Sequence, residues 1–344
     1  MDMRLLGRSG LQVFALSFGT MTFGGRGDRF ESMESTGVDG ARRQLDICRE
    51  AGVNLVDTAD VYSQGLSEEI LGEALGASRD QWVLATKVRG RMGEGPNDVG
   101  LSRHHIIQGC EASLRRLGTD WIDLYQVHGF DSLTPLDETL SALDALVQSG
   151  KVRYIGCSNY SAWHLMKALG IAERDGYEPF VCQQVHYSLV SRELEHELVP
   201  LSLDQGVGIL VWSSLAGGFL SGKFRRGQSD PEDTRRAALG TPGGIDEEYG
   251  FAVVDALAEI AEGRGVSVAQ VALNWVKAKP GVTSIIVGAR TDEQLMDNLA
   301  AATWDLAAEE MGRLDEVSQP RIPYPYWHQR QFSSDRMPEL GVPA

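Results

Sequence analysis

Eight short apolar runs, each followed by a polar turn and then a segment of helical periodicity, recur along the 344-residue chain. They are Phe14–Gly19, Asn54–Thr58, Trp82–Lys87, Trp121–His128, Arg153–Ser158, Phe180–Val185, Val207–Trp212 and Thr283–Val287. Most are rich in β-branched or aromatic residues and do not alternate strictly, as expected of parallel strands buried on both faces. Between them, Leu136, Leu140, Leu143 and Val147 repeat at helical spacing, as do Val268, Val271, Ala272 and Trp275. Gly52, Gly76, Gly118 and Gly150 fall just past four such segments, where a helix end wants a residue tolerant of left-handed backbone. Strand and helix alternating eight times predict an α/β chain closed into one (β/α)8 barrel over residues 1–344. An open doubly wound sheet shares the alternation, but the G-x-G-x-x-G turn of its dinucleotide-binding form is missing after the first run.

Two segments break the rhythm. Ser213–Tyr249, after the seventh barrel strand, is a long polar connection, and the tail from Ser318 carries Tyr324, Tyr326 and Trp327 among prolines. Both are expected at the barrel mouth, since long loops in compact domains are usually functional. The residues before Phe14 suit a small β-hairpin.

Composition removes several classes of function. A net charge of −16 argues against nucleic acid and anionic membrane surfaces as partners. No apolar run approaches the roughly 18 residues of a membrane span. The start, MDMRLLGRSG, has no signal-peptide pattern, so a cytoplasmic location is expected. Cys48, Cys110, Cys157 and Cys182 lack disulfide or metal spacing and are read as packed free thiols.

Barrel enzymes carry reacting groups at the C-terminal ends of strands. Here those ends offer Asp57, Lys87 and His128 in order, with Tyr62 five residues beyond Asp57. Singly, each has an ordinary explanation: a helix cap, a snorkelling lysine, a structural histidine. Together they suit acid catalysis by a phenol. A free tyrosine titrates near pH ~10, so donating a proton at neutral pH needs help. An adjacent ammonium stabilises the phenolate, Asp57 can hold that ammonium, and His128 can hydrogen-bond to a carbonyl oxygen.

Val56-Asp57-Thr58-Ala59-Asp60-Val61-Tyr62-Ser63, Ala85-Thr86-Lys87 and Asp123-Leu124-Tyr125-Gln126-Val127-His128 resemble three signatures of the aldo-keto reductase superfamily, and the similarity runs from about Met3 to Pro325. The resemblance implies that Asp57, Tyr62, Lys87 and His128 form a catalytic tetrad reducing aldehydes or ketones with NADPH. It also implies a cofactor site. Ser158, Asn159 and Gln184 match positions that hold the nicotinamide carboxamide, and Gly19-Thr20-Met21 a cofactor-contacting turn. Trp212, Ser213, Leu215, Gly217 and Lys223 match the ring-stacking and pyrophosphate segment. Gly288, Arg290, Gln294, Asp297 and Asn298 match the adenosine end, where Arg290 can engage a 2′-phosphate and favours NADP(H) over NAD(H). Without the family context, Trp212 is equally a core aromatic at a strand end.

One departure stands out. The residue after the catalytic histidine is often large in the family, and here it is Gly129. That widens one wall of the pocket, with Phe130, Phe23 and the aromatic tail as candidate borders for a small carbonyl substrate. The seventh-strand segment and the Gly288–Asn298 stretch also resemble the β-subunits of voltage-gated potassium channels, so a regulatory, dinucleotide-sensing role is the alternative. A metal-dependent hydrolase would need several converging His and Asp ligands, and only His128 and Asp57 qualify; no metal is expected. A homo-oligomer is compatible with the pattern.

Overall fold

The computed structural model describes residues 2–25, 36–227 and 244–332. Strands β1 (Met3–Leu5) and β2 (Gln12–Phe14) form an antiparallel hairpin. The barrel follows: β3 (Leu16–Gly19), α1 (Val38–Glu50), β4 (Leu55–Asp57), α2 (Leu66–Leu75), β5 (Val83–Val88), α3 (Arg103–Leu117), β6 (Ile122–Val127) and α4 (Leu136–Gln148). It continues with β7 (Val152–Ser158), α5 (Ala162–Asp175), β8 (Cys182–His186), α6 (Leu198–Gln205), β9 (Gly208–Trp212), α7 (Glu247–Arg264), α8 (Val268–Lys277), β10 (Val282–Val287) and α9 (Asp292–Ala300). Helices α10 (Ala308–Val317) and α11 (Tyr326–Phe332) end the described chain.

Strands β3 to β10 pair in parallel and close, β10 bonding to both β9 and β3. The predicted (β/α)8 barrel with its hairpin is therefore the observed fold. The first apolar run is split, however: Phe14 ends the hairpin, Ala15 intervenes, and the barrel strand starts at Leu16. The sixth run is shifted: Phe180 precedes the strand, buried edge-on to Tyr160, and His186 carries the strand on.

Helix α3 illustrates why these segments fold as they do. Ser102 caps it by accepting the His105 amide, and Gly118, at φ 63°, ends it. Ile106, Cys110, Leu114 and Leu117 lie three or four residues apart and are buried against the barrel. Truncating Ile106 to alanine there costs about 2–5 kcal/mol.

The hairpin closes the N-terminal end of the barrel. Leu6 and Val13 pack on Leu55, Ala85, Leu124, Cys182 and Leu210, which point into the barrel interior. Gly7, at φ 61°, lets the hairpin approach: a Cβ there would lie 2.3 Å from the Val181 carbonyl oxygen and 2.6 Å from that of Gly206. The opposite end stays open.

Of the two segments expected at that open end, the first forms a tight helical turn over Ala216–Ser221 and rejoins regular structure at α7. Its residues 228–243 lie outside the described residues. In the tail, Tyr326 stacks on His196 and donates to Glu197 at 2.6 Å, so α11 rests on the loop after β8. The described part of the tail, residues 318–332, thus sits on the rim without lining the central cavity. Among the described residues no helix is long and apolar enough to cross a membrane.

Candidate active site

Parallel register brings the strand ends together: Gly19 pairs with Asp57, Lys87 with Gln126, Ser158 with Gln184, and His186 with Trp212. Tyr62 follows β4 on a turn whose next residues, Ser63 and Gln64, adopt left-handed φ of 48° and 54°. Such strain in non-glycine residues costs about 1–3 kcal/mol each and needs support. Ser63 supplies it, donating from its hydroxyl to the Phe23 carbonyl at 2.9 Å and accepting the Gly25 amide at 3.0 Å.

Lys87 has no solvent exposure. Its ammonium donates to Asp57 Oδ1 at 2.5 Å, to the Thr58 carbonyl at 2.8 Å and to Tyr62 Oη at 3.4 Å. Burial works against its charge, but Asp57 and then Tyr62 outweigh burial and hold the ammonium above its ordinary range. The other Asp57 oxygen accepts from Gln184 at 2.9 Å and from Gln126 at 3.1 Å. The His128 ring stands edge-on to Tyr62, centroids 5.9 Å apart. Burial, then Lys87 and Arg89, push His128 down to about 3, so the ring is neutral at physiological pH. Densely surrounded as it is, it keeps one side on the groove. Behind the turn, Glu68 binds Arg116 and Thr86, each at 2.6 Å, while burial and then the charge of Glu68 raise neighbouring Asp60 well above the carboxylate range.

Above this cluster opens a cavity of about 850 Å³. Asp57, Tyr62 and His128 line it, and Lys87 lies just beneath. The other predicted residues all line it too: Gly19, Thr20, Met21, Ser158, Asn159, Gln184, Trp212, Ser213, Leu215, Gly217, Lys223, Gly288, Arg290, Gln294, Asp297 and Asn298. At its deep end Asn159 donates to the His128 carbonyl at 3.0 Å and accepts Trp212 Nε1 at 3.2 Å. Trp212 in turn stacks on His186, centroids 4.7 Å apart. In the middle, Gly217 and Gly218 hold φ of 67° and 99°, with the Gly217 amide donating to Ser213 Oγ. At the far end Gln294 accepts the Arg290 amide at 3.3 Å. Asp297 faces the cavity with its carboxylate engaged by Ser267 and Gln270, at 2.7 and 2.6 Å.

Two proposed borders are elsewhere. Phe23 is fully buried against Phe18, and the Phe130 ring stacks on His164 at 3.6 Å, turned outward. Apolar contact with the core and with the α5 start outweighs facing a polar mouth. Gln126 was not among the sequence candidates, although it shares a strand face with His128 two residues on. Ala269 and Phe224 also line the cavity without a sequence signal of their own. Among the described residues no group of three His, Cys, Asp or Glu side chains could hold a metal.

The groove fits a dinucleotide by the chemistry of its donors. A flat indole and an amide–hydroxyl set flank the tetrad, glycine backbone opens the middle, and Lys223 and Arg290 bring cations to an otherwise acidic chain. Comparison with known proteins finds relatives along nearly the whole chain. The chain is 38% identical over 328 residues to the uncharacterized oxidoreductase YrpG of Bacillus subtilis, covering 92% of this chain and 96% of that protein. It is 38% identical to a probable voltage-gated potassium channel subunit beta of Arabidopsis thaliana, covering 88% and 91%. Identity to the versiconal hemiacetal acetate reductase of Aspergillus parasiticus is 35%, covering 94% and 99%. The model of the aldo/keto reductase family matches residues 15–319, and the chain belongs to that family.

Proposed function

We propose that this protein reduces aldehydes or ketones to alcohols with NADPH, Tyr62 acting as the general acid. One observation carries the reading: a buried, paired Lys87 ammonium lies 3.4 Å from Tyr62 Oη at the floor of a dinucleotide-sized groove. The dinucleotide, when bound, supplies a hydride to the carbonyl carbon. Tyr62 gives its phenolic proton to the carbonyl oxygen as the C–O π pair moves there, and Lys87 stabilises the phenolate left behind. Asp57 keeps Lys87 charged and aimed, and the Gln126 and Gln184 amides hold Asp57. His128, neutral, hydrogen-bonds to the same oxygen without competing for the proton. Ser158, Asn159 and Gln184 would take the carboxamide, Trp212 the nicotinamide face, Gly217 and Lys223 the pyrophosphate, and Arg290 the 2′-phosphate that distinguishes NADP(H) from NAD(H).

The test follows loss of reduced-nicotinamide absorbance with a panel of aldehydes. Tyr62→Phe is expected to lower kcat by about a hundred- to ten-thousandfold while NADPH still binds. Turnover in the variant at the wild-type rate removes Tyr62 as the acid. A second reading, a dinucleotide-sensing regulatory subunit, is favoured by 38% and 39% identity to probable potassium channel β-subunits of Arabidopsis thaliana and rice. Tight NADPH binding with no turnover of any aldehyde would support it.

A further inference from the structure

Gly129 leaves space beside His128 that no aromatic ring fills. Arg89 occupies it. This residue directly follows β5, two positions past Lys87, and its backbone holds φ 148°, a strained value for a non-glycine residue. The Gly100 amide donates to its carbonyl at 2.9 Å, closing the loop that Arg89 begins. Its side chain crosses to the β6 loop, where Nε donates to the Phe130 carbonyl at 2.9 Å. A Cβ on Gly129 would sit 3.5 Å from Arg89 Cδ and Nε, so a larger side chain there would meet the arginine. The absence of a side chain at 129 and the presence of the guanidinium are two halves of one arrangement.

We infer that Arg89 is a specificity-determining residue that recognises a carboxylate on the substrate, so that the pocket favours carbonyl compounds carrying an acid group; this rests on the reductase reading of the same site. With Nε held by Phe130, the two terminal amino groups remain, the geometry that grips a planar carboxylate. Arg89 is exposed and makes no ion pair among the described residues. Asp131 feels its charge, but Asp131 Oδ2 is bonded to the Leu101 amide and Thr134, and Oδ1 to the Leu133 amide. Arg89 and Gly129 do not line the groove itself, but Gly129 directly follows His128, which does. On this inference the far end of a carbonyl held by Tyr62 and His128 leaves on the Gly129 side. In a chain of net charge −16, the long-range field repels anions, so an acid group at this mouth needs a local cation.

The test compares para-carboxybenzaldehyde with its methyl ester, two aldehydes of like shape and different charge, in the wild type, Arg89→Met, Arg89→Lys and Gly129→Leu. The wild type is expected to favour the acid in kcat/KM by about fivefold at low salt, a preference that fades as salt is added. Arg89→Met and Gly129→Leu should bring the ratio near one, the latter by displacing the guanidinium without removing it, and Arg89→Lys should fall between. A wild-type ratio of one, or an unchanged ratio in both Arg89→Met and Gly129→Leu, overturns the inference. If neither aldehyde turns over, the reductase reading fails and binding decides this one. Para-(hydroxymethyl)benzoate titrated into protein saturated with NADP⁺ must then bind the wild type more tightly than Arg89→Met, and equal affinity rejects the assignment.

Discussion

Replacing Asp57 by asparagine keeps the side chain's shape and removes the carboxylate paired with Lys87. The pair is 2.5 Å apart with side-chain exposures of 0% and 3%. At an effective dielectric of ~20, unit charges that close attract by about 7 kcal/mol, most of it offset by the cost of taking both from water. Removing one partner loses the attraction and keeps the other's desolvation, so Asp57→Asn is expected to cost about 3–5 kcal/mol in urea unfolding at pH 7. Lys87→Met added to it should recover much of the loss, because neither charge is then buried. The sign with pH is equally specific. In the wild type Lys87 is raised, so its contribution holds below the free-lysine value near ~10.4 and is lost only as pH rises through the higher folded value. In Asp57→Asn, Tyr62 is left to oppose burial without the carboxylate, so Lys87 is expected to fall below the free-lysine value. The unfolded chain then binds more protons, and the variant gains stability from pH 7 toward 10. The difference between the two proteins should therefore narrow as pH rises. A cost under ~1 kcal/mol, additive losses in the double variant, or a difference constant with pH would each refute the reasoning.

Other outcomes follow from the same geometry. His128 sits at about 3 in the folded chain against ~6.5 unfolded, so only the unfolded chain takes up a proton between those values and stability falls as pH drops through 6.5. From pH 8 to 5 this costs about 1–2 kcal/mol, the lower figure allowing for solvent in the groove, and His128→Asn should lose that slope in unfolding titrations. Arg290→Ala should reduce the preference for NADPH over NADH about tenfold in equilibrium binding, and an unchanged ratio would count against its role.

The barrel was legible because parallel strands buried on both faces leave apolar runs that cannot be disguised, and the gathering of Asp57, Lys87 and His128 was legible because such runs end together at one mouth of the barrel. What escaped was set by side-chain direction in irregular backbone. Phe130 and Phe23 follow strands by a few residues, where no periodicity says which way a ring points, and each took the more apolar side. Arg89 went unread for the same reason, since its strained backbone redirects the side chain across to Phe130. Gln126 differs: strand alternation puts it on the face that His128 continues, and that signal was available. Gln184 carries a second role that the sequence did not signal, because its amide nitrogen donates to Asp57 while the residue also lines the groove.

The hairpin under the barrel has a consequence for proton traffic. Seven apolar side chains from the hairpin and five strands fill the interior below Asp57 and Lys87, and all three Lys87 donors are taken by Asp57, Thr58 and Tyr62. Among the described residues, none of the ammonium's hydrogen bonds leads down into that apolar floor. On the proposed mechanism, a Tyr62 that has given up its proton is recharged from the mouth, through the same opening that admits substrate. Such a site would be a dead-end wire with one terminal: resetting the acid and clearing the product would share a door, so a bulky alcohol that lingers there would also delay reprotonation.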